Sequence, residues 1–301
     1  MKVYVVKANE NWFCDRYHNE WCEYASEYNT FNPSEADVVW LLPSWTWRML
    51  PPQFLSSKKV VATVHHIVPD KFDLRDFMER DRYVDCYHVP CAQTKNNISQ
   101  YTKKPIIISG YWLNSDVWKP LDRLECRKEL RLSEDDYIVG SFQRDTEGSD
   151  LASPKLEKGP DLFIEYIKKI KKDNLHVLLG GWRRQYIINR LLEEQIPHTY
   201  IKLAPQDTLE KMYASCNLYV VSARFEGGPQ ALLEAPAMNV PIVSTDVGMA
   251  KVTLSDNCII DIKDDFYYPT EQDVKENREK VFKFEIKEHI KTYIKIFQEV
   301  L

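Results

Sequence analysis

Two carboxylates with seven residues between them, Glu226 and Glu234, bracket the stretch of this chain best suited to chemistry. Gly227 and Gly228 follow the first acid at once, and Pro229 comes next. Glycines let a backbone approach a ligand closely, and proline suits the first position of a helix, where its missing N–H would be unpaired anyway. Free amides and the positive end of a helix dipole would then point at an anion, with one carboxylate at the mouth of the site and the other in its wall.

The neighbouring elements must hold that loop in place. Leu218 to Val221 is short, apolar and β-branched, as a buried strand is, so Ser222 to Gly228 becomes the loop at its carboxyl end. Asn239 suits the left-handed residue that ends a helix, and Val240 to Thr245 reads as the next parallel strand. Pro236 conflicts with the carbonyl of Leu232 and should kink or shorten the helix between them.

Composition excludes several classes. At 301 residues the chain is long enough for two domains. No apolar run approaches the roughly 20 residues that cross a bilayer. The start, Met1 to Glu10, reads directly as a strand without the build of a signal peptide, so a soluble protein is expected. Seven cysteines are odd in number and form no C-x-x-C pair, which argues against a disulfide framework or a zinc site and for a reducing cytoplasm. A net charge of −5 argues against a general affinity for nucleic acid.

Glu226 and Glu234, taken with Ser222, Pro241 and Gly248, resemble the signature of the retaining nucleotide-sugar glycosyltransferases of family 4. The resemblance implies an α/β protein of GT-B architecture, with two doubly wound Rossmann-like domains facing across a cleft and a short N-terminal domain. It implies that Glu226 takes the hydroxyls of the transferred sugar and Glu234 those of the ribose. Gly227, Gly228, Pro229 and Ser222 would line the donor site.

Along the first domain, Lys2 to Val6, Ala36 to Leu42, Lys59 to Val64, Tyr83 to Val89 and Pro105 to Ile108 read as strands, with helices at Asp15 to Tyr28 and Gln93 to Tyr101. Trp12, with Asp15 and Arg16, can shape a sugar pocket or simply pack and cap the helix. Trp45 and Trp47 follow the second strand, where aromatic faces suit the apolar face of an acceptor sugar; packing of the loop is the equal alternative. The third strand delivers His65 and His66, which cannot both face one crevice. The resemblance implies a histidine over the transferred sugar; His65 matches that position, with His66 as the fallback. The first loop lacks the paired glycines common in the family.

In the second domain, Asp136 to Phe142 reads as a strand, and Arg144 and Lys158 match the basic pair that the family aims at the diphosphate. Arginine offers a planar fork of donors and lysine a mobile point charge, and both offset the charge that builds on a leaving phosphate. The loop between them is longer than the family's usual spacing. Gly181 and Trp182 end the strand that begins at Leu175 and suit a nucleotide crevice, and Lys202 and Leu203 lie on the loop that borders the base in similar enzymes. Asp207 suits the cap of the helix running to Ser215. Near the end, Phe282, Ile286, Ile290, Ile294 and Phe297 form an apolar helical stripe.

The expected division is 1–115 for an acceptor-side domain, 116–275 for a nucleotide-sugar domain, and 276–301 for a helix returning to the first. The function that follows is transfer of a sugar from a nucleoside diphosphate sugar to the hydroxyl of a sugar or glycoconjugate acceptor, with no cofactor and no metal. A noncatalytic nucleotide-sugar-binding protein, or an epimerase or hydrolase of the same fold, stays open. So do the oligomeric state and contact with a membrane surface.

Overall fold

The computed structural model describes residues 1–10 and 13–301; Trp12 and the role expected of it lie outside the described residues. The short β-branched runs form parallel strands, and the polar or proline-bearing segments between them supply helices and turns. In chain order these are β1 (Val3–Val5), α1 (Phe13–Tyr24), β2 (Val38–Leu41), α2 (Pro52–Leu55), β3 (Lys59–Thr63), α3 (Leu74–Asp81), β4 (Cys86–Val89), α4 (Ala92–Ser99) and β5 (Ile106–Ile108). Next come α5 (Arg123–Glu129), β6 (Tyr137–Ser141), β7 (Thr146–Glu147), β8 (Ser153–Pro154), α6 (Pro160–Lys169), β9 (Leu175–Gly181), α7 (Gln185–Glu193) and β10 (His198–Lys202). The last are α8 (Gln206–Ser215), β11 (Leu218–Val221), α9 (Ala231–Ala237), β12 (Ile242–Ser244), α10 (Ala250–Thr253), α11 (Glu271–Val281) and α12 (Ile286–Val300).

The chain divides into two units, residues 1–112 with 284–301, and residues 113–283. The first carries a parallel sheet in the order β1-β2-β3-β4-β5. Its reversal of winding survives as a single rung: the Val3 amide donates to Tyr28, the Thr30 amide returns to Val3, and Asn29 bridges Val3 in parallel on the edge away from β2. Alternation along β2 then separates two faces. Val39 and Leu41 join Trp47, Leu55 and Phe77 in one core, whereas Trp40 turns to the face shared by Trp21, Tyr293 and Phe297. Each such ring removes about 150–250 Å² from water, and here they meet edge-on or tilted.

Helix α12 belongs to the first unit, and its buried residues are Ile286, Ile290, Tyr293, Ile296 and Phe297. The expected stripe is corrected at two positions. Ile294 is only half-buried, because the core-facing line runs through Tyr293, and Phe282 lies before the helix, 37% exposed. The boundaries also differ from those expected. Helix α11 stays in the second unit, where buried Asp273 accepts from Ser255, Tyr267 and Thr270.

The second sheet has the order β10-β9-β6-β11-β12, all parallel, so it is doubly wound about β6. Val139, Val177, Leu179, Leu218, Val220 and Val243 meet α6 and α7 on one face. On the other, Phe142 meets Tyr213 and Tyr219 edge to face and the two tyrosines are tilted together, with centroids 4.9 to 5.1 Å apart. Among the described residues no helix is long and apolar enough to cross a membrane.

Candidate functional site

Strand β6 is where the winding of the second sheet reverses, and the loops that leave β6 and β11 at their carboxyl ends flank that point. Open parallel sheets hold ligands in the crevice at such a reversal. Residues 142–159 leave β6 and residues 222–230 leave β11.

The excess length of the first loop is folded away. Strands β7 and β8 pair antiparallel with Thr146 opposite Pro154, and the Lys155 amide donates to the Asp145 carbonyl at 2.7 Å. The return limb therefore comes back beside its start, and the Gln143 side chain donates to the Lys158 carbonyl at 2.9 Å. Sequence distance between Arg144 and Lys158 ceases to separate them.

Two glycines let the loops lie against their neighbours. Gly159 has φ +60°, and a Cβ there would overlap the carbonyl oxygen of Ser222. Gly248, φ +56°, presses in the same way on the peptide joining Gly227 to Gly228. Ser222, expected to touch a donor, is fully buried, and its hydroxyl donates to the Lys158 carbonyl at 3.3 Å; it holds the lysine turn. Arg224 forks onto Asp161 at 2.7 and 2.6 Å, which ties the β11 loop to the first turn of α6.

The candidate side chains sit on this frame. The Lys158 ammonium donates to the Glu226 carboxylate, with 16% and 13% of the two side chains exposed. The Nε of Arg144 donates to the Thr146 carbonyl at 3.1 Å, and its guanidinium lies 4.9 Å from the Trp182 ring, with that of Arg183 at 4.7 Å. A third cation, Lys155, which no sequence pattern marks, joins them; its Nζ lies 3.4 Å from Glu157. Burial pulls Lys155 below the ordinary lysine range against the opposing pull of Glu157, with smaller help from the positive charges of Lys158 and Arg144. Three cations gathered on one loop, two of them balanced by Glu157 and Glu226, make this edge of the sheet a candidate site for an anion.

Glu234 lies in the wall, 3% exposed, and accepts from the Tyr213 hydroxyl at 2.8 Å. Burial, then the charge of Glu234, pushes the Tyr213 phenol well above its ordinary range. Gly181, φ +94°, ends β9 opposite Lys202, and the Leu203 amide donates to its carbonyl at 3.3 Å. Trp182 and Leu203 are 42% and 56% exposed at this edge.

Three expectations change. Pro229 is not the first helical residue, because α9 starts at Ala231 and runs for seven residues, with Pro236 inside and Asn239 at φ +60° beyond its end. So short a helix has a weak dipole, and the cations carry the positive charge of the site. Asp207 does not cap α8; Pro205 precedes the helix and Asp207 lies in its first turn. Trp47 is 8% exposed, donates its indole N–H to Asp76 at 3.1 Å and belongs to the core, so of the two tryptophans in that loop Trp45, 46% exposed, is the one open to a ligand.

In the first unit, the Nδ1 of His65 is bonded to the Tyr111 hydroxyl and its Nε2 lies 3.7 Å from the Cys14 sulfur. His66 is half-buried beside it. Asp15 accepts the Asn9 amide at 2.9 Å. Among the described residues no group of three His, Cys, Asp or Glu side chains is gathered to hold a metal ion.

Residues 151–288 match the family model described as glycosyl transferases group 1. No curated protein matches the chain. Among solved structures, HepE of Anabaena in complex with UDP is 11% identical with a TM-score of 0.71, covering 99% of this chain and 100% of its own. Sucrose-phosphate synthase of Thermosynechococcus elongatus is 15% identical with a TM-score of 0.67, covering 95% of this chain and 77% of its own. A glycosyltransferase of Rickettsia africae is 14% identical with a TM-score of 0.60, covering 98% and 84%. These likenesses show the fold, which is the α/β fold of GT-B glycosyltransferases.

Proposed function

We propose that this protein transfers a sugar from a nucleoside diphosphate sugar to an acceptor hydroxyl with retention of the anomeric configuration. The observation that carries the reading is the convergence of Arg144, Lys155 and Lys158 with Glu226 at the reversal point of the second sheet. The match of residues 151–288 to a glycosyltransferase family supports it.

In this reading Arg144 and Lys158 hold the diphosphate. Negative charge grows on the leaving phosphate as the bond to the anomeric carbon breaks, and cations fixed in advance stabilise that charge without rearranging. They supply the compensation that a divalent ion would otherwise give. Glu226 takes the sugar hydroxyls, Glu234 the ribose, and Trp182 stacks at the nucleotide. The departing phosphate oxygen accepts the proton of the attacking hydroxyl, so no enzymic base is needed.

HepE was solved with UDP and with UDP-glucose, which makes UDP-glucose the first donor to try. A thermal-shift panel of UDP- and GDP-sugars should show stabilisation by one base class, because a ligand that favours the folded form raises the melting temperature. That donor incubated with sugar acceptors should then release nucleoside diphosphate together with an α- or β-glycoside of unchanged configuration. Free sugar as the sole product would replace transfer by hydrolysis, and binding without turnover would replace it by a binding role.

A further inference from the structure

Arg184 and Asp145 form an ion pair in which both side chains are 0% exposed, at the carboxyl ends of β9 and β6. The guanidinium spends its donors on both strands at once. Its Nη1 donates to the carbonyls of Ser141 and Gly180, its Nη2 to the Ser141 hydroxyl at 3.0 Å, and its Nε to Asp145. The Ser141–Leu179 pair is the last of the β6–β9 register, so Arg184 closes the two strands just where their ladder stops.

Asp145 passes this constraint outward. Its second oxygen accepts from the Thr146 hydroxyl at 2.6 Å, and Thr146 accepts the Tyr186 amide at 2.9 Å. The Thr146 carbonyl takes the Nε of Arg144, and the Asp145 carbonyl takes the amide of Lys155. From Lys155 a tight turn leads to Lys158, whose amide donates back to the Lys155 carbonyl at 2.8 Å. All three cations of the anion site thus hang from the residues that Arg184 anchors.

A buried ion pair is weak support for stability, since well-packed apolar side chains of similar size often serve as well. An apolar pair would not fix the direction of the loop. We infer that the Arg184–Asp145 pair is a positioning device that sets Arg144 and Lys158 at the spacing a diphosphate requires. The inference rests on the proposed nucleotide-sugar reading for its ligand; the anchoring itself is read from the bonds above.

The test compares Arg184→Lys, which keeps the charge and loses the fork, with the paired change Arg184→Met and Asp145→Leu, which removes both charges and leaves neither buried alone. UDP and GDP are titrated calorimetrically, and amide hydrogen exchange is followed over residues 142–159. Both variants should keep a cooperative melting transition and bind the preferred nucleotide at least tenfold more weakly. Adding Arg144→Ala should weaken Arg184→Lys much less than it weakens the wild type, a non-additivity that a merely structural role would not give. The amides of Lys155 and Lys158 should exchange faster while those of β6 and β11 hold. Additive losses, unchanged affinity or unchanged exchange of the loop would overturn the positioning role. A wild-type protein that binds neither UDP nor GDP would overturn the donor reading, and the exchange of the loop amides would still decide the anchoring.

Discussion

Lys158 donates to Glu226 across 68 residues of chain, joining the loop that leaves β6 to the loop that leaves β11. The two partners should fail differently when removed. Lys158→Ala takes away a charge-assisted contact to phosphate, worth on the order of 1.5–3 kcal/mol, and should weaken both UDP and UDP-sugar binding about tenfold or more by titration calorimetry. Glu226→Gln should leave UDP affinity within about threefold and cut sugar transfer about 10²- to 10³-fold, the scale of losing one preorganised polar contact. Full transfer by Glu226→Gln would remove that carboxylate from the site.

Gly159 and Gly148 both have positive φ, yet only one is confined. A Cβ at Gly159 would meet the Ser222 backbone, whereas at Gly148 it would meet only the exposed side chain of Asp150, which can shift at the expense of its hydrogen bonds to Ala152 and Ser153. Gly159→Ala should cost about 2 kcal/mol or more and lower the melting temperature by several degrees, with loss of nucleotide binding. Gly148→Ala should cost about 1 kcal/mol and leave binding intact. Equal effects would mean that contact between the loops does not matter.

Trp182 and Trp47 should separate binding from stability. Trp182→Ala removes a half-exposed ring flanked by Arg144 and Arg183 and should lower nucleotide affinity while shifting the melting temperature little. Trp47→Ala removes a core ring and should destabilise the first unit by about 3–5 kcal/mol.

Acid should weaken the first unit through one buried histidine. His88 is fully buried between the Thr63 hydroxyl and the Ser109 carbonyl, and burial, against the pull of that carbonyl and aided by the charge of His289, lowers its pKa from 6.5 to about 4. The unfolded chain therefore binds a proton below pH 6.5 that the folded chain refuses until about pH 4. Stability from this group is complete above pH 6.5 and is lost as pH falls toward 4, by an amount on the order of 3 kcal/mol. Denaturation by urea at pH 7.5 and pH 4.5 should show the loss, and His88→Gln should flatten it.

The parallel strands and the acid-flanked glycine loop were legible because they are written in local patterns: β-branched runs, Gly227 and Gly228 after Glu226, and Asn239 where the helix stops. Other parts were hidden by their size or by their direction. Strands β7 and β8 have two residues each, and Tyr28 to Thr30 makes a single rung, too short for any periodicity to register. Arg183 and Arg184 look alike in sequence. Only the left-handed backbone at Arg183, φ +53°, sends the first to the edge and the second into the wall. Trp45 and Trp47 were likewise equivalent until the 3₁₀ turn of residues 44–49 gave them different surroundings. Lys155 gave no signal at all, since a lysine in a polar loop usually remains in solvent.

Tyr293 and Phe297 complete the aromatic cluster around Trp40, although residues 113–283 are translated between them and that tryptophan. A nascent chain leaves the ribosome from its N-terminus, and domains commonly fold in that sequence. Here the order is reversed: the middle of the polypeptide can finish while its beginning still waits on the exit tunnel for a partner. Stalled or truncated translation products would therefore present Trp21 and Trp40 uncovered, to chaperones and to each other.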